Sequence, residues 1–479
     1  MTTGSTRICP AAGTPPDTIT AVSTPGGQGG IGIVRISGPL AWAVGLALFR
    51  PSRPWPEPGR PPLRRLLHGH VIDPSVGEPV DEVLCAFFQA PHSYTTQDSV
   101  ELQGHGGPAA LMRVLELALG QGCRLARPGE FTLRAYVGGR LALDQAEAVA
   151  GLIAAQGEME ARLALAGLAG GLGRRLAPVR QGLLAVAAAV EAAIDFPEDL
   201  AELDGPGLAR TLEEQALAPL ATVLEERARR RVFAEGACVV LAGRPNAGKS
   251  SLFNALLGRE RAIVHHLAGT TRDALEEPLL LEGLACRLVD TAGLGVGAAQ
   301  GACAGLDELG RQAARQRLSQ ADLSLVVLDG AEPLTAEDRE VLAQAAGRPR
   351  LLAVNKSDLA PAWGLEEAGL PAGAPALRVS AHTGAGLGEL VAALKTALTG
   401  GQPEPPPGEA LANQRQALAL ERALAAGQEA ARLLARSDQP VELVSLELEE
   451  ALLALGEVDG QGAPDEVIEE IFSKFCVGK

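Results

Sequence analysis

The stretch Gly243-Arg-Pro-Asn-Ala-Gly-Lys-Ser250 leaves few folds open to a chain that carries it. It follows the apolar run Val239-Val-Leu-Ala242 and precedes Ser251-Leu-Phe-Asn-Ala-Leu-Leu257, so it reads as a strand, a glycine-rich turn and a helix. The glycines let backbone N–H groups point inward at phosphates, and the helix N-terminus adds positive potential. Lys249 is expected to bridge the β- and γ-phosphates of a nucleotide, and Ser250 to ligate magnesium. Strand-like runs at Cys238 to Ala242, Leu323 to Leu328, Leu351 to Asn355 and Ala376 to Ser380 alternate with helical ones. Residues 236–399 are therefore expected to form a Ras-like, doubly wound α/β domain.

Three further motifs narrow the ligand. Gly269-Thr-Thr-Arg-Asp273 puts Thr271 where a threonine completes a magnesium shell. Asp290-Thr-Ala-Gly293 ends the apolar run Leu284 to Val289; it supplies a carboxylate behind the metal and, at Gly293, an amide that senses the γ-phosphate. Asn355-Lys-Ser-Asp358 also closes a strand, and the Asp358 carboxylate can accept the N1 and N2 hydrogens of guanine, a pair that adenine does not offer. GTP is the expected nucleotide. The residues expected around it are Asn246, Ala247, Gly248, Lys249, Ser250 and Ser251 in the first loop, and His265, His266, Leu267, Ala268, Gly269, Thr270 and Thr271 in the second. Asp290, Thr291, Ala292 and Gly293 follow, with Asn355, Lys356, Asp358, Ser380, Ala381 and His382 at the base.

Two details bear on hydrolysis. Leu294 stands where small signalling GTPases carry a water-orienting glutamine, and leucine cannot do that work. The amide oxygen of Asn246 either ligates a monovalent cation that offsets developing charge, as an arginine finger does, or Asn246 is a polar loop residue with no ion.

The 479 residues are enough for two to four domains. Residues 18–138 mix β-like runs (Ile31 to Ile36, Val83 to Phe88) with turns and one helix around Ala109 to Leu119, an α+β pattern. Residues 139–235 place Leu143, Ala146, Val149 and Ile153 at helical spacing, break at Gly170-Gly-Leu-Gly173, and end a second helix at Asp195-Phe-Pro. After the α/β segment, Gly400-Gly-Gln-Pro-Glu-Pro-Pro-Pro407 reads as a linker and 408–473 returns to helices, so that 400–479 forms the second part of the helical domain. The economical organisation is an α/β domain inserted into a helical one.

No run of 18 or more uninterrupted apolar residues suggests a membrane span, and the N-terminus lacks the apolar core of a signal peptide. Seven scattered cysteines without a C-x-x-C suggest neither disulfides nor zinc, so a reducing cytoplasm is expected. The net charge of −16 excludes a general nucleic-acid binder; any RNA contact must be local or shared with a more basic partner.

The first loop, the switch Ala268-Gly-Thr-Thr-Arg-Asp273 and the terminal Phe475-Cys-Val-Gly-Lys479 together resemble the MnmE (TrmE) family of tRNA modification GTPases. Gly32-Ile-Val-Arg-Ile-Ser-Gly38, Glu101-Leu-Gln-Gly-His-Gly-Gly107, Ala126-Arg-Pro-Gly-Glu-Phe131 and Glu191-Ala-Ala-Ile-Asp-Phe-Pro197 extend the resemblance from near residue 18 to the last residue. Related ribosome-assembly GTPases share the loop and switch but lack these flanks. The resemblance implies a folate-binding-type N-terminal α+β domain that forms a homodimer and binds 5-formyl- or methylene-tetrahydrofolate. It implies a heterotetramer with the FAD-dependent flavoprotein MnmG, which adds a carboxymethylaminomethyl-type group at carbon 5 of the wobble uridine of certain tRNAs. It also implies GTP hydrolysis activated by potassium-dependent dimerisation of the GTPase domains. Potassium would be held by Asn246, Thr270 and the carbonyls of His265 and Leu267, and the folate by Arg35, Glu101, Arg140 and Lys479.

The residues add something of their own. Arg35 and Glu101 each interrupt an apolar strand-like run, and buried charges persist only with partners, so they face a ligand or each other. Arg140 stands where the family commonly has lysine. For Cys476 the resemblance implies a part in the modification reaction or in building its site, packing being the alternative. The family's water-orienting carboxylate, three residues before a glycine, falls on Asp307, or on Glu308 if the Gly/Ala-rich switch shifts the match by one. The expected catalytic set is thus Lys249, Asp290, Asp307 or Glu308, and Cys476. Two other functions compete: a ribosome-assembly GTPase switch, and an independent folate enzyme with a regulatory GTPase.

Overall fold

A computed structural model describes residues 17–55, 57, 60–195, 204–260, 276–290, 320–364, 375–436 and 440–478. The chain divides into two compact units: Met1–Ala150 with Leu183–Ala209 and Ala425–Lys479, and Gly151–Gly182 with Arg210–Leu424.

The first unit is built on a seven-stranded sheet. Its strands are β1 (Ile19–Val22), β2 (Gly29–Ser37), β3 (Phe49–Pro51), β4 (Leu67–Ile72), β5 (Pro79–Phe88), β6 (Ser99–Gly106) and β7 (Arg124–Leu125), in the order β3-β4-β5-β6-β2-β1-β7. Neighbours are antiparallel except β1 and β7. The registers Val34↔Leu102 and Ile36↔Val100 send these apolar side chains to a core closed by the helices Ala41–Leu48 and Pro108–Gly120. Strand alternation then sends Arg35, paired with Glu101 in register, to the opposite face. Gly32 lets the second helix approach: a Cβ there would lie 2.5 Å from a Leu111 methyl. The sequence anticipated one helix here; the structure adds Ala41–Leu48 and Glu130–Val137.

The second unit holds a six-stranded sheet of β8 (Ala237–Ala242), β9 (Glu276–Leu281), β10 (Leu284–Asp290), β11 (Leu323–Asp329), β12 (Arg350–Asn355) and β13 (Ala376–Arg378). The order is β13-β12-β11-β8-β10-β9, and only the β9–β10 hairpin is antiparallel. One face packs on helices that supply Leu252, Leu256, Leu390 and Leu394, joined by Met159, Leu163 and Phe233 from outside the α/β segment. The other face buries Val326, Leu328 and Leu352 against Leu342 of the helix Ala336–Gln344. Helices on both faces of a mostly parallel sheet make this the doubly wound fold.

The helix Gly171–Asp195 is long and apolar enough to cross a bilayer by length and composition. Its buried residues Leu172, Leu176, Val179, Leu183, Val186 and Val190 recur every three or four positions, the stripe of a helix packed on one side. Its start at Gly171 follows Gly170 in the left-handed region at φ +76°, which is the break anticipated from the glycines.

Candidate functional site

Parallel strands deliver their last residues to one edge of the sheet. Asp290 is in register with Leu241 on β8, and Asp329 with Asn355 across β11 and β12. Ligands of doubly wound folds bind at this carboxyl edge.

The phosphate loop leaves β8 and enters the helix Lys249–Glu260. Gly248 has φ +90°, and a Cβ there would sit 2.2 Å from Asn355 Nδ2, so only glycine fits. Asn246 is also left-handed, at φ +63°, a conformation that asparagine tolerates better than most residues. Lys249 is buried; its Nζ donates to the carbonyls of Gly243 at 2.8 Å and Arg244 at 2.9 Å. Burial lowers its pKa, and the Asp290 carboxylate works against that shift. Ser250 Oγ donates to Asp290 Oδ2 at 3.1 Å, bringing together the hydroxyl and the carboxylate that a magnesium site needs.

The base-recognition loop is tied to the phosphate loop. Asn355 is 2% exposed; its Nδ2 donates to the Ala247 carbonyl at 3.1 Å, and its Oδ1 accepts from Ala381 N at 3.0 Å. Ser380 Oγ donates to Asp358 Oδ1 at 2.5 Å and holds the exposed Asp358 carboxyl below the usual carboxylate range. The ionised form that guanine requires is thereby favoured. Lys356 Nζ donates to Asp329 Oδ2 at 2.6 Å, and Arg244 Nη2 lies 3.6 Å from the same oxygen. Asp329, 2% exposed, was not anticipated from sequence. A single carboxylate in Leu-Asp-Gly is no motif, and only the alignment of strand ends reveals it.

In the first unit, Arg35 donates through Nε and Nη2 to Glu101 Oε1, both at 3.0 Å. The two charges therefore do face each other. The guanidinium also lies 5.4 Å from the centroid of the Tyr94 ring and 5.6 Å from that of Phe131, while Arg140 covers Tyr94 at 4.8 Å. Arg35 Nη1 is buried with no hydrogen-bond partner. An orphaned cationic N–H between two rings is costly unless a ligand accepts from it. The C-terminal segment runs past the end of β1 and the turn before the helix Glu130–Val137: Ser23 Oγ donates to the Gly478 carbonyl at 3.0 Å and Gly129 N to that of Cys476 at 3.4 Å. Cys476 is exposed, and Phe475 beside it is buried and stacked on Phe472.

Comparison with known proteins agrees with this geometry. Residues 143–476 match the MnmE helical domain, and residues 18–140 match the N-terminus of the GTP-binding protein TrmE. A tRNA modification GTPase MnmE from Chloroflexus aurantiacus is 41% identical over 467 residues, covering 97% of this chain and 100% of that protein. Another, from Nitratidesulfovibrio vulgaris, is 42% identical over 472 residues, covering 97% and 99%. The chain belongs to the MnmE family of tRNA modification GTPases. It is thus a GTP-hydrolysing enzyme by kinship. The solved G domain of the T. maritima FeoB iron transporter is similar over 34% of this chain and 97% of its own length, with 26% identity and a TM-score of 0.24.

Of the positions that MnmE kinship makes interesting, His265, His266, Leu267, Ala268, Gly269, Thr270, Thr271, Thr291, Ala292, Gly293, Leu294, Asp307, Glu308 and Lys479 lie outside the described residues. Those within them, Cys476 apart, fall in two groups, one in each unit. Asn246 to Ser251, Asp290, Asn355, Lys356, Asp358 and Ser380 to His382 converge at the strand ends of the second unit. Arg35, Glu101 and Arg140 gather around Tyr94 in the first.

Proposed function

We propose that this chain is a potassium-stimulated GTPase which, with the flavoprotein MnmG, modifies carbon 5 of the wobble uridine in certain tRNAs. The observation that carries the reading is full-length kinship: relatives named tRNA modification GTPase MnmE align over 97% of the chain. The segments 18–138, 139–235, 236–399 and 400–479 would serve as the dimerising folate domain, the two parts of a helical domain, and the GTPase domain inserted between those parts. The working location is the cytoplasm, and the assembly is a heterotetramer of two such chains with two flavoproteins.

The chain's own residues would work as follows. Asp358 selects guanine, and Asn355 holds the base loop against the phosphate loop. Lys249 exchanges the carbonyls of Gly243 and Arg244 for β- and γ-phosphate oxygens, so part of its binding strength replaces bonds it already has. Magnesium would be held by Ser250 and Thr271, and potassium by Asn246, Thr270 and the carbonyls of His265 and Leu267; both would supply positive charge against the phosphates. Asp307 or Glu308 would orient the attacking water in place of the missing glutamine.

A tetrahydrofolate derivative fits the first unit's cluster. Arg35 Nη1 has a donor to give, and the rings of Tyr94 and Phe131 flank it. Arg140 and Lys479 would complete the contact, and Cys476 would act at or beside the one-carbon transfer.

Hydrolysis is expected to be at least about tenfold faster in potassium chloride than in sodium chloride at equal ionic strength, about 1.4 kcal/mol of barrier. Equal slow rates in the two salts would remove the cation mechanism. Mass spectrometry of tRNA from a strain lacking the gene should show unmodified carbon 5 at the wobble position. Unchanged wobble uridines would remove the assigned reaction and favour a ribosome-assembly switch.

A further inference from the structure

A run with net positive charge lies far along the chain from the nucleotide motifs. Between Arg50 and Leu66 stand Arg50, Arg53, Arg60, Arg64 and Arg65, with one glutamate, Glu57, and no aspartate, in a chain of net charge −16. This segment leaves the sheet at the edge strand β3 and re-enters it at β4. Its described residues are anchored at three points. Ser52 N donates to the His68 carbonyl at 2.9 Å, which joins its two ends, and Arg64 N donates to the Phe87 carbonyl at 3.0 Å. Trp55 packs edge-on against Phe87, with centroids 6.0 Å apart. Pro51, Pro54, Pro61 and Pro62 each fix a backbone torsion, so the arginines stand on a stiffened loop at the sheet edge.

All five arginines are exposed. Arg60 pairs with Glu57 at 3.3 Å, but Arg50, Arg53, Arg64 and Arg65 have no ion-pair partner among the described residues. The acids on the flanking strand, Asp81 and Glu82, already pair with His105 and His68. Elsewhere in the unit an arginine typically meets a carboxylate, as Arg113 meets Asp73 and Arg134 meets Glu130. Four unneutralised like charges on one stiff loop repel one another unless a polyanion covers them. Arginine forks match phosphate oxygens, and contacts of that kind position a nucleic acid without reading its sequence. With a net charge of −16 an RNA contact has to be local, and a group of arginines without carboxylate partners is a surface that suits it.

We infer that the loop from Arg50 to Arg65 is where this chain touches the phosphate backbone of its RNA. The inference rests on the tRNA-modification reading and supplies the local contact that an acidic chain needs. The test titrates a fluorescently labelled tRNA transcript with the full-length protein at 25 to 200 mM potassium chloride. Wild type is compared with R50Q/R53Q/R64Q/R65Q, with the half variants R50Q/R53Q and R64Q/R65Q, and with R339Q/R378Q, which removes two isolated exposed arginines as a control.

The quadruple variant is expected to bind at least about tenfold more weakly at low salt. The slope of log affinity against log salt should shrink by about one for each arginine engaged. Each half variant should fall between it and wild type, and GTP hydrolysis without RNA should be unchanged. Equal affinity and slope in variant and wild type overturn the inference. So does a wild type that binds no tRNA even at 25 mM salt, an outcome that leaves the modification reading standing with the tRNA held by the partner protein. Altered oligomeric state with RNA affinity retained would assign the loop to a second copy of this chain and overturn it equally.

Discussion

Three side chains meet at the end of β11. Asp329 accepts from Lys356 of the base loop, lies within ion-pair reach of Arg244 in the phosphate loop, and is almost fully buried. Removing its charge takes the carboxylate partner from Lys356, while Arg244 keeps Glu332 and Asp338, a loss of about 1.5–3 kcal/mol for a charged hydrogen bond. Asp329→Asn is therefore expected to raise the Kd for GDP about tenfold or more. Turnover at saturating GTP should change less, because Asp329 touches no expected phosphate ligand. Fluorescent-nucleotide titration beside steady-state kinetics separates the two effects, and a fall in turnover at unchanged Kd would contradict the role. At this scale the sequence was most readable where chemistry forces several residues into a fixed order, as at Lys249, Asn355 and Asp358. Asp329 escaped because its partners come from two other strand ends, and that neighbourhood exists only after folding.

At the scale of elements, the helix Gly171–Asp195 offers a paired comparison. Leu183 is 1% exposed and its neighbour Leu184 is 49% exposed. Leu183→Ala is expected to cost about 2–4 kcal/mol, and Leu184→Ala less than about 0.5 kcal/mol, in urea unfolding. A second helix, Leu143–Ala154, carries a pH signature in its first turn. Burial pushes the Asp144 carboxyl up to about 6; a backbone N–H of Gln145 opposes the shift, and Asp459 and Glu147 add to it. The folded chain thus keeps a proton that the unfolded chain has released. Its stabilising contribution is full below about pH 4, where both forms are protonated, and is lost as pH rises through about 6. Asp144→Asn has no charge to bury, so its melting temperature should exceed that of wild type at pH 7.5 and converge with it near pH 4. The effect is worth about 2–3 kcal/mol at most. Elements announced by uninterrupted apolar runs, such as β8, β10, β11 and β12, were legible in the sequence. β9 was not: Glu276-Glu-Pro-Leu-Leu-Leu281 places a proline in an edge strand, where a missing N–H is tolerated, and it looks like a loop until its hairpin partner is seen.

For the whole molecule, charge sets the behaviour. With a net charge of −16 and an isoelectric point near 5.0, molecules repel one another at pH 7 and lose that repulsion on acidification. Light scattering should show the second virial coefficient falling as pH drops from 7.5 toward 5. Over the same interval the Asp144 contribution grows, so a better-held fold would coincide with the greatest tendency to self-associate. The division into two units was only partly legible. Composition separates the α/β segment from helical flanks, yet Met159, Leu163 and Phe233 join the α/β core because an amphipathic helix does not declare which sheet it will cover.

The fit of Gly248 against Asn355 has a consequence for descent. A Cβ on one would strike the amide of the other, and that amide in turn anchors the loop that Gly248 shapes. Two motifs more than a hundred residues apart are, in mutational terms, coupled: as long as asparagine stands at 355, position 248 admits no side chain. Variation in this loop is expected to collect instead at Pro245, whose side chain is exposed.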